Sequence, residues 1–84
     1  MKDEAITRAI IGSAMRIHSA LGPGLLESIY ESVMFRDLTF NGFKVERQKR
    51  VKFEFEGMKF DDGLRIDLLV EDRVIIEIKN KKMI

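Results

Sequence analysis

Leu64-Arg65-Ile66-Asp67-Leu68-Leu69-Val70, followed by Glu71-Asp72 and then Arg73-Val74-Ile75-Ile76-Glu77-Ile78-Lys79, is the stretch on which the fold turns. Side chains alternate between the two sides of a strand. Leu64, Ile66, Leu68 and Val70 therefore share one side, with Arg65, Asp67 and Leu69 on the other. In the next segment Val74, Ile76 and Ile78 share a side, and Arg73, Ile75, Glu77 and Lys79 face away. Two strands with one greasy side each, separated by an acidic pair, predict a β-hairpin. Opposed residues in an antiparallel ladder point the same way, which makes the register testable on paper. A two-residue loop sets Ile66 against Glu77 and buries a carboxylate among aliphatic side chains. A three-residue loop over Glu71, Asp72 and Arg73 pairs Val70 with Val74, Leu68 with Ile76 and Ile66 with Ile78, and it sets Asp67 opposite Glu77. That register, or an equivalent bulge, is the expected one. Its weak point is Arg65 opposite Lys79, a like-charge pair that a nearby anion or carboxylate cluster would relieve.

Upstream, Phe43 and Val45 alternate with charges, as do Val51, Phe53 and Phe55 with Lys52, Glu54 and Glu56, so both runs read as strands. Glu56-Gly57 is a turn into Met58 to Phe60, and Asp61-Asp62-Gly63 reads as a polar loop. Before Gly42 the period is helical. Ile6, Ile10, Ala14, Ile17 and Leu21 recur every three or four positions and predict an amphipathic helix over 3–21, capped by Asp3 and closed by Gly22. Pro23 prevents continuation. A second helix is expected from about Leu25 to Phe40, with Leu26, Ile29, Val33 and Leu38 on its apolar face and Asn41-Gly42 as its stop. The fold class is therefore α+β: two N-terminal helices joined at a Gly-Pro-Gly corner, followed by an antiparallel β-sheet.

The chain has 84 residues, 45% hydrophobic and 35% charged, and one small domain spanning 1–84 is expected, with no internal repeat or linker. A domain of this size buries only about 60–65% of the surface its unfolded chain exposes, so its stability should be marginal. Fifteen Lys and Arg against fourteen Asp and Glu leave a net charge of +1, which excludes nucleic-acid binding by bulk charge and requires local patches instead. The absence of cysteine excludes disulfides and thiolate zinc sites. No apolar run approaches the ~20 residues of a membrane span, and no secretory leader is evident, so a cytoplasmic protein that does not contact membrane is expected.

Asp67 with Glu77-Ile78-Lys79 has the residue types and the expected geometry to cut a phosphodiester with a divalent metal. Magnesium prefers carboxylate oxygens and usually keeps waters, so two acids on neighbouring strands suffice to seat it, with the Ile78 carbonyl as a further ligand. Manganese would occupy the same donors. The metal would generate hydroxide and hold a phosphoryl oxygen. Lys79, on the same side as Glu77, could position the water or stabilise charge in the transition state. As a bare pattern the same residues also fit a solvated strand face on which Asp67 and Glu77 pair with Arg65 and Lys79.

The corner Gly22-Pro23-Gly24-Leu25-Leu26-Glu27-Ser28-Ile29-Tyr30-Glu31 resembles the signature of the GxxExxY proteins, matched by Gly24, Glu27 and Tyr30. The run from Gly63 to Val70, followed by Ile75-Ile76-Glu77-Ile78-Lys79, is similar to the second half of the same pattern, so the likeness spans about Ile6 to Lys79. That family is grouped with the PD-(D/E)XK nucleases, whose common core is a helix, a three-stranded antiparallel unit, a second helix and a further strand. The resemblance implies metal ligation by Asp67 and Glu77, with Lys79 as helper of the catalytic base. It also implies that Glu27 faces the same cleft as a supporting acid. The substrate class it implies is DNA or RNA. After Lys79 the family pattern continues, whereas only Asn80-Lys81-Lys82-Met83-Ile84 follow here. The expectation is thus an incomplete restriction-endonuclease-like core lacking the second core helix and last strand. An uncovered face and an open edge would favour homo-oligomers. Incompleteness also leaves open a chain with little activity, acting as a non-catalytic nucleic-acid-binding or self-associating module.

Plainer roles compete at each position. Glu27 in a first helical turn is favoured by the helix dipole with or without a metal. Tyr30 reads as a packing residue with a hydrogen-bonded hydroxyl. His18, near a helix C-terminus, is read as a partial cation there and not as a catalyst. The basic run Lys44, Arg47, Lys49, Arg50 and Lys52 could touch phosphates, but lysine also protects an edge strand from aggregation, and the edge role is preferred.

Overall fold

The computed structural model describes residues 2–79. Helix α1 spans Lys2–Leu21 and α2 spans Glu27–Phe40; strands β1 (Val45–Phe55), β2 (Met58–Val70) and β3 (Val74–Ile76) follow. The three strands form one antiparallel sheet in the order β1-β2-β3, so β1 and β3 are its edges. This is the expected α+β arrangement. Helices lie against one part of the sheet, and the molecule is only 18 Å thick along its shortest axis, as two layers require.

Local chemistry explains where the elements start and stop. Gly22 takes a φ of 75°, and its N–H reaches the His18 carbonyl at 2.9 Å, closing α1 as read from the sequence. Asp3, expected to cap α1, instead lies within its first turn, and its carboxylate accepts a hydrogen bond from Arg73 Nε at 2.7 Å. The buried stripe of α2 also differs from expectation. Glu31, Met34 and Leu38 are buried, whereas Leu26 and Ile29 are exposed. A hydropathy pattern cannot place a glutamate on the buried side, because the partners that make its burial tolerable come from β1.

The hairpin register is the three-residue one: Val70 pairs with Val74, Leu69 with Ile75 and Leu68 with Ile76. Glu71 and Asp72 adopt φ of 54° and 56° to make the turn, and the Arg73 N–H returns to the Val70 carbonyl at 3.0 Å. The ladder stops at Ile76, however, so the expected Ile66–Ile78, Asp67–Glu77 and Arg65–Lys79 pairings do not form as β-bridges. Arg65 pairs with Arg50 of β1 instead.

Asp61-Asp62-Gly63, read as a loop, lies inside β2. Between the pairs Val51–Leu64 and Phe53–Phe60, these three residues stand opposite the single Lys52, so the chain accommodates them as a bulge without leaving the sheet. Gly63 permits this, because a Cβ there would lie 2.8 Å from the Phe53 ring. That ring stacks on Phe60 with centroids 4.7 Å apart.

The core joins both layers: Ile6 and Ile17 of α1, Met34 and Leu38 of α2, and Leu68 and Val70 of β2. Leu68 and Val70 are wholly buried, as the alternation predicts, but the same side of β2 emerges from under the helices towards Leu64, which is 55% exposed. Residues 80–84, on which the expectation of an incomplete core rested, lie outside the described residues.

Candidate metal and nucleic-acid site

At the end of the β2–β3 ladder, Asp67 uses one carboxylate oxygen to accept the N–H of Ile78 at 2.9 Å. A side chain thus takes the place of a strand partner, which ties the Glu77-Ile78-Lys79 segment to Asp67 after regular pairing has ended. The other Asp67 oxygen lies 3.5 Å from Gln48 Nε2, at the limit of a hydrogen bond. Asp67 is half-buried, while Glu77 and Lys79 are exposed.

Two neighbouring cavities receive these groups. The first, of about 190 Å³, is lined by Glu27, Ser28 and Glu31 of α2, Gln48 of β1, Asp67 of β2, and Ile78. The second, of about 390 Å³, contains Glu27, Tyr30, Glu77, Ile78 and Lys79 together with His18 and the Gly22-Pro23-Gly24 corner. Glu27 and Ile78 line both, so the four residues singled out as a site, Asp67, Glu77, Lys79 and Glu27, are divided between two adjoining spaces. Asp67 is in the smaller cavity, and Glu77 and Lys79 are in the larger. Glu27, at the first position of α2, is where helix and sheet meet.

Sequence reasoning missed Glu31 and Gln48. Glu31 is 7% exposed. Its Oε2 accepts from Arg47 Nη2 at 3.1 Å, and its Oε1 accepts from Gln48 Nε2 at 2.5 Å. Arg47 also donates to Ser32 Oγ at 2.9 Å and lies over the Phe35 ring. A buried carboxylate survives only when paired and hydrogen-bonded, and here both oxygens are occupied. The one available signal was the spacing of Glu27 and Glu31, which puts two acids on adjoining turns of one helix.

The basic run divides by role. Arg47 belongs to the buried acid, Lys44 pairs with Asp72 at 2.8 Å, and Lys49 pairs with Glu46 at 2.9 Å. Hydrogen bonding to Asp72, and then its charge, hold the Lys44 ammonium above its usual range. Lys49 lies on the edge strand β1, and Lys44 immediately precedes it.

The donor set fits a hydrated hard cation. Glu27 and Asp67 are oxygen donors beside a space large enough for an ion that keeps waters, and magnesium is commonly held by one or two carboxylates; both Glu31 oxygens are already taken by Arg47 and Gln48. Among the described residues no three His, Asp or Glu side chains cluster closely enough to ligate one ion together. Among those residues, too, no helix is long and apolar enough to cross a membrane.

Comparison with known proteins identifies the family of the chain. A family model of the PD-(D/E)XK nuclease superfamily matches residues 4–84. No curated protein and no solved structure matches the chain.

Proposed function

The chain belongs to the PD-(D/E)XK nuclease superfamily, and from that premise we propose that it is a GxxExxY-type phosphodiesterase acting on DNA or RNA with magnesium or manganese. The hydrogen bond from the Ile78 N–H to Asp67 carries the reading, because it ties the Glu-x-Lys segment to an acid of β2 that lines the smaller cavity. Asp67, Glu77 and the Ile78 carbonyl would hold the cation. Bound there, a divalent ion supplies a lowered pKa for an attacking water and Lewis-acid neutralisation of a phosphoryl oxygen.

The chain's own residues do the rest. Lys79 lines the same cavity as Glu77, where it can orient the water or meet negative charge developing on phosphorus. Glu27 stands between the two cavities, where it supports the cation or accepts a proton from the attacking water. Asp67, with one oxygen fixed on Ile78, presents the other to the cleft.

Calorimetric titration with Mg2+ and Mn2+, alongside cleavage of a panel of single- and double-stranded DNA and RNA, tests this. Asp67→Ala is expected to lose both cation binding and cleavage. Lys79→Ala is expected to keep cation binding and lose cleavage by about a hundredfold or more, the scale of a transition-state electrostatic contact. A folded wild-type protein that neither binds the cations nor cleaves any substrate refutes the assignment.

One observation favours self-association as a second property. Beyond the helices, the apolar side of the β1–β2 hairpin continues through Val51–Leu64, Phe53–Phe60 and Phe55–Met58. Phe55 and Met58 are more than half exposed. At ~150–250 Å² per aromatic side chain, the uncovered stripe amounts to roughly 400 Å². That is within the range of a monomer's largest apolar patch and only about half of what a stable interface takes from each partner. The occupant proposed is a second copy in two-fold antiparallel contact. The dimer is accordingly weak.

A further inference from the structure

In a regular strand, neighbouring side chains point to opposite sides of the sheet. Arg47 and Gln48 break this rule, since both reach Glu31. The cause is local: Gln48 adopts a φ of 49°, in the left-handed region that residues with a Cβ rarely enter. Its neighbours keep the ladder, with Arg47 paired to Leu68 and Lys49 to Ile66, so Gln48 stands across from Asp67. Each carboxylate near it has one oxygen anchored elsewhere, Glu31 on Arg47 and Asp67 on the Ile78 N–H. The Gln48 carboxamide addresses the remaining two, at 2.5 Å from Glu31 and 3.5 Å from Asp67.

Building on the cation reading above, we propose that Gln48 is a positioning residue: its carboxamide, anchored on the buried Glu31, restrains the Asp67 carboxylate so that one oxygen stays on Ile78 and the other faces the cavity. The unfavourable backbone conformation is retained because it turns the side chain towards the helix and away from the opposite face. Strain of this kind concentrates where a site must be held in one geometry.

Gln48→Gly separates the roles, because glycine takes positive φ without penalty and removes the carboxamide. The expected result has three parts. The thermal midpoint falls, because the buried Glu31 loses a donor, but stays above that of Gln48→Ala, which loses the same carboxamide and keeps the backbone penalty. In metal-free protein, the Ile78 amide exchanges with solvent at least fivefold faster, while the Leu68 and Val70 amides keep their rates. The affinity for Mn2+, followed by the electron-spin signal of the free ion, falls at least fivefold. Gln48→Asn, which tolerates the same backbone region and keeps a shorter carboxamide, is expected to lie between wild type and the glycine variant in Ile78 exchange. Unchanged Ile78 exchange in Gln48→Gly overturns the positioning role, and a thermal midpoint no higher than that of Gln48→Ala overturns the claim that the backbone at this position is held against its preference. A wild-type protein that binds no Mn2+ overturns the cation reading. The Ile78 rate then upholds or overturns the ordering of Asp67 by itself.

Discussion

Removing the Arg47 charge while keeping the bulk of its stem, as Arg47→Met does, strips the buried Glu31 of its cation. The Glu31 side chain is 9% exposed and that of Arg47 is 38% exposed. Breaking a fully buried pair costs ~3–5 kcal/mol because the surviving charge is left without compensation. Two features reduce that figure here: Arg47 is partly in water, where its attraction is screened, and Gln48 continues to donate to Glu31. We expect a loss of about 2 kcal/mol. At roughly 0.05–0.15 kcal/mol per residue, a chain of this length has about 4–13 kcal/mol of stability, so the variant still folds. Glu31→Gln removes the charge from the other side and leaves a half-solvated guanidinium, at a cost of about 1 kcal/mol. The double variant should lose about 2 kcal/mol, less than the two single losses combined, because each single change already breaks the pair. Urea unfolding followed by circular dichroism reads these differences, with a midpoint shift of about 1–2 M for Arg47→Met at the slope of a small domain. Losses that add to within about 0.5 kcal/mol would mean that Arg47 and Glu31 are not coupled, and the account of why Glu31 is buried would fall with them.

The remaining predictions concern pH and assembly. Ser13, acting from outside regular hydrogen-bond geometry, then Arg16 and Asn41 hold the Asp37 carboxyl below its usual range against the opposing effect of burial. A depressed carboxyl pKa stabilises the fold above the unfolded-state value and loses that contribution as pH falls through the folded-state value. Asp37→Asn should therefore be less stable than wild type at pH 7, by about 0.5–1 kcal/mol for so exposed an ion pair, and should match it once both proteins are brought below the carboxylate range; a gap that persists in acid would show that packing, and not charge, is at issue. Phe55→Lys places a cation in the uncovered stripe, and sedimentation velocity across a concentration series should show wild type moving from monomer to dimer while the variant stays monomeric. Identical concentration dependence for the two proteins would rule out the hairpin face as the contact.

Particular residues show how far the chain could be read without coordinates. Val70, Leu68 and their partners Val74 and Ile76 are paired as the period of two and the aversion of carboxylates to aliphatic surroundings require. Gly22 ends α1 because a positive φ suits glycine, a property of that one residue. Asp61-Asp62-Gly63 misled because three turn-forming residues look alike in a loop and in a wide bulge. The difference is the Phe53 ring, which occupies the space beside Gly63 from another strand. The spacing of Asp67, Glu77 and Lys79 was legible, but their arrangement was not: the ladder ends at Ile76, and a side-chain contact to Ile78 takes over from strand pairing.

Periodicity, turn chemistry and hairpin register act between residues close along the chain, so the linear order of side chains was enough to establish two helices, their glycine-bounded ends and the final hairpin. The identity of the acids gathered around Asp67 depended on contacts between residues far apart in that order. Glu31 could enter the interior only because Arg47 and Gln48 meet it across the helix–sheet boundary. Gln48 could do so only through a backbone angle that no propensity favours. Such groups cost free energy when considered alone and persist only when packed together, which is why they emerge with the assembled layers and not with any segment taken separately.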